Sequence, residues 1–180
     1  MDGCKNTGKV TSNAKQSAFC GGIVGYATSN TSIKYCINDA NLNSHSTYAS
    51  AFSGGIVGGT AGNIENCLVS YDNIITATDD EDANNYISLT GGIVAKSNGN
   101  IINCISMSKC KNAYYNGGIV GNYVDGTSVY ENNYWLYQGS SSPMEYAEAY
   151  NQIDSIATMY YWFSNIYNLS IYKNIMSYVG

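Results

Sequence analysis

Arginine is missing altogether, proline occurs once (Pro143), histidine once (His45), and charged residues fill only 12% of 180 positions. The eight lysines are scattered, Lys109 and Lys111 being the densest pair, and thirteen Asp and Glu leave a formal charge of −5. A surface that neutralises phosphates needs a clustered basic face, so nucleic acid and anionic membranes are excluded as partners. No apolar run reaches the roughly 18 residues that would cross a bilayer, which argues against membrane insertion. Met1 to Asn6 lack the charged, apolar and small-residue pattern of an export leader. Because the repeat register below opens partway through a unit, the chain is expected to be a piece of a longer protein whose localisation signal lies elsewhere. What is plentiful is Gly, Asn, Ser and Tyr, within a 44% hydrophobic composition that suffices for one domain with a small appendage.

Internal repetition dominates the sequence. Gly-Gly-Ile-Val stands at Gly21 to Val24, Gly54 to Val57, Gly91 to Val94 and Gly117 to Val120, at intervals of 33, 37 and 26 residues. Constant strands joined by loops of varying length produce such spacing, whereas helical repeats keep a fixed period. Two residues before each Gly pair come Phe19, Phe52, Leu89 and Tyr115. Ile33, Ile64, Ile101 and Val129 form a later row. Cys36, Cys67, Cys104 and Asn132 stand three beyond them, and Cys4 joins that row from a half-repeat. Val10, Leu42, Ile74 and Cys110 make a last aliphatic row. Gly pairs inside the most apolar segments and the wealth of Ile, Val, Tyr and Thr argue against helices.

Stacked at about 4.8 Å per floor, these rows become ladders. The expectation is an all-β chain: a right-handed parallel β-helix (solenoid) of about four to five three-strand coils over residues 1–136. Strict alternation would turn Phe19, Gly21 and Ile23 inward and Cys20, Gly22 and Val24 outward, making Cys20 exposed and the Val24, Val57, Val94 and Val120 row an outer apolar stripe. Residues three apart, such as Ile64 and Cys67, cannot share one face of a flat strand. A bend near Asn66, and its counterpart at Asn103, is therefore expected. Residues 137–180 read as a capping segment, partly α-helical and Tyr-rich. Ser142-Pro143-Met144-Glu145 resembles a capping box opening a helix of about ten residues, and Asp154 can cap a second one.

The segments from Gly54 to Cys67 and from Gly91 to Cys104 resemble the GLUG repeat, a likeness covering about residues 3 to 136. Ala95 departs from its third small Gly, and Tyr130 to Asn133 lack its Cys. The resemblance implies a bacterial cell-surface or secreted protein, since GLUG repeats occur in adhesin-like proteins and in the non-catalytic parts of immunoglobulin A-cleaving metallopeptidases. It implies binding rather than catalysis and carries no catalytic residues with it.

The candidate sites follow from residue chemistry. Zinc needs clustered ligands, and cysteines one coil apart form a line; the row reads as a buried thiol ladder, so neither a metal centre nor any cofactor is expected. His45 lacks a nucleophile elbow and reads as a loop residue. Asp79, Asp80 and Asp82 form a solvated acidic loop and a weak Ca²⁺ candidate without an alternating ligand loop. Lys34 and Glu65 read as a surface ion pair within an outward row Lys34, Glu65, Ile102 and Tyr130. A second outward row reads Lys9, Asn41, Asp72 or Asn73, and Lys109. Neither row sets two carboxylates on adjacent coils, as glycoside cleavage would want. The variable loops, about residues 11 to 18, 43 to 51, 75 to 88 and 111 to 114, leave from one corner and form an edge. There Tyr48, Asp79, Asp80, Asp82, Tyr86 and Tyr114 are the candidate ligand-binding residues.

The leading functional expectation is a non-enzymatic segment that adheres to a glycan or a host or cell-surface protein, or serves as a stalk. A carbohydrate-active β-helix enzyme is one alternative. A self-assembling subunit whose open strand edge pairs with upstream coils or another copy is the other.

Overall fold

The computed structural model describes residues 1–80, 86–123 and 128–136, together with the backbone of 150–153. Among these, every regular element is a strand. The first coil runs through β1 (Lys5–Asn6), β2 (Val10–Ala14), β3 (Ala18–Gly21), β4 (Val24–Ala27) and β5 (Ser32–Lys34). The second repeats it as β6 (Ile37–Asn38), β7 (Leu42–Ser46), β8 (Ala51–Gly54), β9 (Val57–Thr60) and β10 (Asn63–Glu65). The third contains β11 (Leu68–Val69), β12 (Ile74–Asp79), β13 (Leu89–Gly91), β14 (Val94–Ser97) and β15 (Ile101–Ile102). The fourth contains β16 (Ile105–Ser106), β17 (Lys109–Lys111), β18 (Tyr115–Gly117), β19 (Val120–Tyr123) and β20 (Tyr130–Glu131). Above it lie β21 (Asn133–Leu136) and β22 (Tyr150–Ile153).

Equivalent strands of successive coils pair in parallel and make five sheets, one of six strands and four of four. The chain is thus a parallel β-solenoid. The decisive row is stacked as expected: the amides of Ile23, Ile56 and Ile93 donate to the carbonyls of Ile56, Ile93 and Ile119 at 3.0, 2.8 and 2.9 Å. The Phe19, Phe52, Leu89 and Tyr115 row and the Gly21, Gly54, Gly91 and Gly117 row are in register as well.

Each coil has five short strands instead of three because two apolar segments are broken by corners. One corner is the Gly pair. A Cβ on Gly54 would meet the Val57 carbonyl oxygen, and one on Gly55 would meet the Gly92 carbonyl of the next floor, so only glycine admits this turn. The other is the expected bend, where Asn66 (φ 54°) and Asn103 (φ 56°) adopt the left-handed conformation, as do Tyr35 (φ 52°) and Asn132 (φ 53°) in the same column.

Two rows shift by a residue. Ile75, not Ile74, stacks between Leu42 and Cys110, because the 70–73 turn holds two residues more than its counterparts; Ile74 replaces Asp72 or Asn73 in the outward row beside Lys109. In the fourth coil Tyr130, not Val129, pairs with Ile101, so Glu131 stands in the outward row and Asn133 succeeds Cys104. Asn133 is fully buried and bridges floors, accepting from the Cys104 amide at 2.9 Å and donating to the Ile101 carbonyl at 2.7 Å. An amide serves both neighbouring backbone groups where a thiol would serve one weakly.

The inside-outside assignment at the Gly corner is the main correction. Cys20 is 1% exposed, and Val57 and Val94 are 0% exposed within the central core with Ile56 and Ile93. Phe19, Phe52, Leu89 and Tyr115 instead form a second, smaller cluster with Ala95 on the opposite side of their strands. Alternation is carried only along an unbroken strand, and the Gly pair breaks it. Beyond the corner the register passes from Val57 directly to Gly59, with Gly58 unpaired in step with Gly25 and Ala95 on the neighbouring floors, and side chains change face again: Val57 and Val94 lie in the central core, whereas Gly59 lies against Phe19 and Lys96 over Phe52. No apolar Val stripe exists on the outside.

The central core stacks Ile33, Ile64 and Ile101 beside Cys36, Cys67 and Cys104, all 0% exposed, with Leu42, Ile75 and Cys110 closing it. The helices expected from Ser142 and Asp154 fall on residues outside those described. The one described stretch of the expected capping segment, Tyr150–Ile153, is a strand, although the first helix was expected to run into it. It pairs with β21, whose upper edge would otherwise leave a row of unpaired backbone groups.

Candidate functional site

The variable corner lies between the third-row sheet (β2, β7, β12, β17) and the aromatic sheet (β3, β8, β13, β18). Residues 15–17, 47–50, 80–88 and 112–114 make the connections, fewer than expected, since Val10–Ala14, Leu42–Ser46, Ile74–Asp79 and Lys109–Lys111 are strands. Short hydroxyl side chains pin the corner. Ser46 donates to the Gln16 carbonyl at 2.8 Å and accepts from the Ala49 amide at 3.1 Å. Ser50 accepts from the Ile87 amide and Ser88 from the Tyr114 amide, at 3.1 and 3.0 Å. These serines, which sequence reasoning did not single out, hold Tyr48, Tyr86 and Tyr114 at 60%, 45% and 71% exposure. Asp79 is half-buried at the end of β12 and Asp80 is exposed; Asp82 lies outside the described residues.

Tyr114 joins this edge to a surface that the wrong face assignment concealed. Its ring meets Tyr115 edge-on at 4.7 Å between centroids, and Tyr115 heads the stacked row of Leu89, Phe52 and Phe19. Phe19 and Phe52 stack at 4.7 Å and 16°, and Tyr26, 59% exposed, closes edge-on against Phe19 at 5.1 Å. Because the Gly corner turns the outer faces of two sheets toward each other, Phe19 lies against Gly59 and Lys96 reaches over the Phe52 ring, its ammonium 5.7 Å from the centroid. The result is a packed aromatic row in which Phe52 and Leu89 are buried, with a cation over one ring and exposed tyrosines at both ends. The exposed tyrosines beside amides and hydroxyls suit the flat apolar faces and hydroxyl rims of sugars, or a protein loop. Such rows were legible as a repeat of Phe, Phe, Leu and Tyr; only their direction was not.

His45 belongs to strand β7 and not to a loop. Its Nδ1 lies 3.2 Å from Thr78 Oγ1 and its Nε2 3.6 Å from Asp80 Oδ1, so a protonated ring pairs with the carboxylate. Ser44 and Ser46 on either side are 0% exposed and face the other way, which separates them from the imidazole. Asp80 turns toward His45, and among the described residues no three His, Cys, Asp or Glu gather to hold a metal. Lys34 and Glu65 form the expected ion pair at 2.6 Å. Glu131 shares that column two floors up, with Ile102 between them.

Cys36, Cys67, Cys104 and Cys110 are buried as expected, whereas Cys4, expected in the same buried ladder, is half-buried. Cys20, expected to be exposed and reactive, is buried, and burial pushes its thiol above the usual value; a neutral buried thiol is inert. Burial pushes the Cys110 thiol up to about 12.

No family model and no curated protein matches the chain. Its fold is similar to the crystal structure, at 1.30 Å resolution, of a putative immunoglobulin A1 protease from Bacteroides ovatus, with a TM-score of 0.61 and 23% sequence identity. The likeness covers 88% of this chain and 50% of that one, so the chain spans about half the length of its structural neighbour. What the chain shares with that protein is the parallel β-solenoid.

Proposed function

We propose that this chain is a non-enzymatic, GLUG-like segment of a longer bacterial cell-surface or secreted protein, binding a glycan or a host-surface protein along its loop edge and the exposed tyrosines beside it. One observation carries the reading: Tyr48, Tyr86, Tyr114 and Tyr26 stand exposed on a framework of stacked strands, and Tyr114 links the edge to the stacked aromatic row through Tyr115. Rigid coils fix these rings before a ligand arrives, which lowers the ordering cost of binding. The likeness to half of a longer solenoid-containing chain supports the idea of a segment. Screening the chain against glycan and host-protein arrays tests it. Binding that weakens at least about fivefold in Tyr114→Ala, with unchanged thermal stability, is the expected result. Silence on both arrays would leave a spacer.

The neighbour's name favours a second reading, in which the parent protein is a peptidase acting on immunoglobulin A and this segment one of its parts. Incubating the chain with immunoglobulin A1 tests whether the segment itself cleaves: intact antibody is expected, and a cleaved antibody chain would overturn the non-enzymatic reading. Turnover of a polysaccharide, lost on changing Asp79 or Asp82 to Asn, would favour a carbohydrate-active enzyme instead.

A further inference from the structure

The strands that run into the loop edge carry a polar outer face that the exposed tyrosines alone do not use. Along β2, β7, β12 and β17 the inward side chains, among them Leu42, Ile75 and Cys110, close the central core, and their neighbours alternate outward. Register stacks Thr11, Asn43, Thr76 and Lys111 into one outward column, one residue per floor. Thr76 donates to Asn43 Oδ1 at 2.6 Å, which leaves the Asn43 NH2 group as a donor in that column. Two residues back along β17, Lys109 stands beside Ile74 in the column of Lys9 and Asn41. All of these outward side chains are exposed or half-buried.

Charge on this face is one-sided. Lys109 and Lys111 flank the buried Cys110 on the same side of β17, and among the described residues neither has an ion-pair partner, Asp72 in the turn before β12 included. His45, also outward, pairs with Asp80, and Asp79 ends β12 on the opposite side, in register with buried Ser46. Two unpaired ammonium groups beside a column of hydroxyls and an amide complement a ligand with spaced carboxylates among many hydroxyls. A protein partner would want an apolar centre, which this face lacks apart from Ile74. A densely sulfated chain would want a larger cluster with arginine forks, and this chain has no arginine. Three residues beyond Lys111 comes Tyr114, 71% exposed, whose ring offers a stacking platform to a sugar.

We propose that the outward face of β7, β12 and β17, with Lys109 and Lys111 as its charged contacts and Tyr114 at its rim, binds a carboxylated (uronate) glycan. The inference rests on the glycan binding proposed above and names its chemical class. The two ammonium groups hold carboxylates, while Asn43 and Thr76 bond to sugar hydroxyls. Biolayer interferometry of the whole chain on immobilised polygalacturonate, dextran and dextran sulfate tests this. Polygalacturonate is expected to bind at least about tenfold tighter than dextran, and less tightly as salt rises. Changing both lysines, Lys109→Gln with Lys111→Gln, is expected to weaken that binding at least about fivefold at an unchanged urea midpoint. Lys34→Gln, whose ammonium is paired with Glu65 on another sheet, is expected to bind as the parent chain does. Tighter binding to dextran sulfate, undiminished binding by the double variant, or no binding to polygalacturonate would each overturn the site. Dextran bound as tightly as polygalacturonate, with that binding lost in Tyr114→Ala, would overturn it too while leaving the glycan-binding reading in place.

Discussion

The strands β3, β8, β13 and β18 are flanked by two corners built on opposite terms. The chain enters them through 15–17, 47–50, 80–88 and 112–114, which differ in length and composition from floor to floor. It leaves through Gly21–Gly22, Gly54–Gly55, Gly91–Gly92 and Gly117–Gly118, two glycines every time. At the exit, backbone passes against the carbonyls of the next floor, and a single Cβ has nowhere to go. At the entrance a few serine hydroxyls hold the described loop residues, and differences in connection length cost little. Invariance therefore marks where floors touch, and variation marks where the molecule meets its surroundings.

The sharpest way to break this contrast is Gly55→Val, which drives side-chain atoms into the Gly92 carbonyl and the Val69 side chain. A loss of at least about 4 kcal/mol, or failure to fold, is expected by urea denaturation. If Gly55→Val were tolerated, the exit corner would be far looser than described. Ile93→Ala comes next. It opens a cavity between Ile56 and Ile119 where nothing is exposed, and about 2–5 kcal/mol of destabilisation is expected in the same assay.

Titration gives a third test on the interior side. Cys110 stays neutral when folded up to about 12, whereas in the unfolded chain a thiol ionises near 8.5. Between those values the unfolded chain has released protons that the folded one retains, so stability falls as pH rises through this window and is level below it. Urea midpoints from pH 7 to 11 are expected to decline above about 8.5, and less steeply in Cys110→Ala. A smaller loss is expected for Asn133→Ala, which orphans the Cys104 amide and the Ile101 carbonyl. About 1–3 kcal/mol should go. On the variable side, Tyr48→Ala should change stability by less than about 0.5 kcal/mol, since the ring is 60% exposed.

The same contrast explains what could be read from residues alone. Column membership was legible because Gly-Gly-Ile-Val, the Phe19 row and the Cys36 row repeat identity, and identity repeats wherever equivalent side chains occupy equivalent space. Asn66 and Asn103 were legible as bends for the same reason. Side-chain direction was not, because alternation was carried across Gly21–Gly22, where the strand ends, and past Gly25, which the register omits. That error hid the second cluster: Phe19 and Phe52 pack on the outer face of their strands, against Gly59 and beneath Lys96, and not in the central core. One-residue slips at Ile75 and Tyr130 arose where a turn lengthened without a marker residue. The tyrosines of the loop edge were legible from composition, while the serines that hold them depend on contacts 26 to 37 residues apart, which no local pattern announces.

Isoleucine methyl and amide nuclear Overhauser contacts test the stacking most directly. The account predicts a chain of contacts from Ile23 to Ile56, Ile56 to Ile93 and Ile93 to Ile119, with none skipping a floor. Contacts that join Ile23 directly to Ile93, or isoleucines connected only to residues three and four positions away, would contradict it.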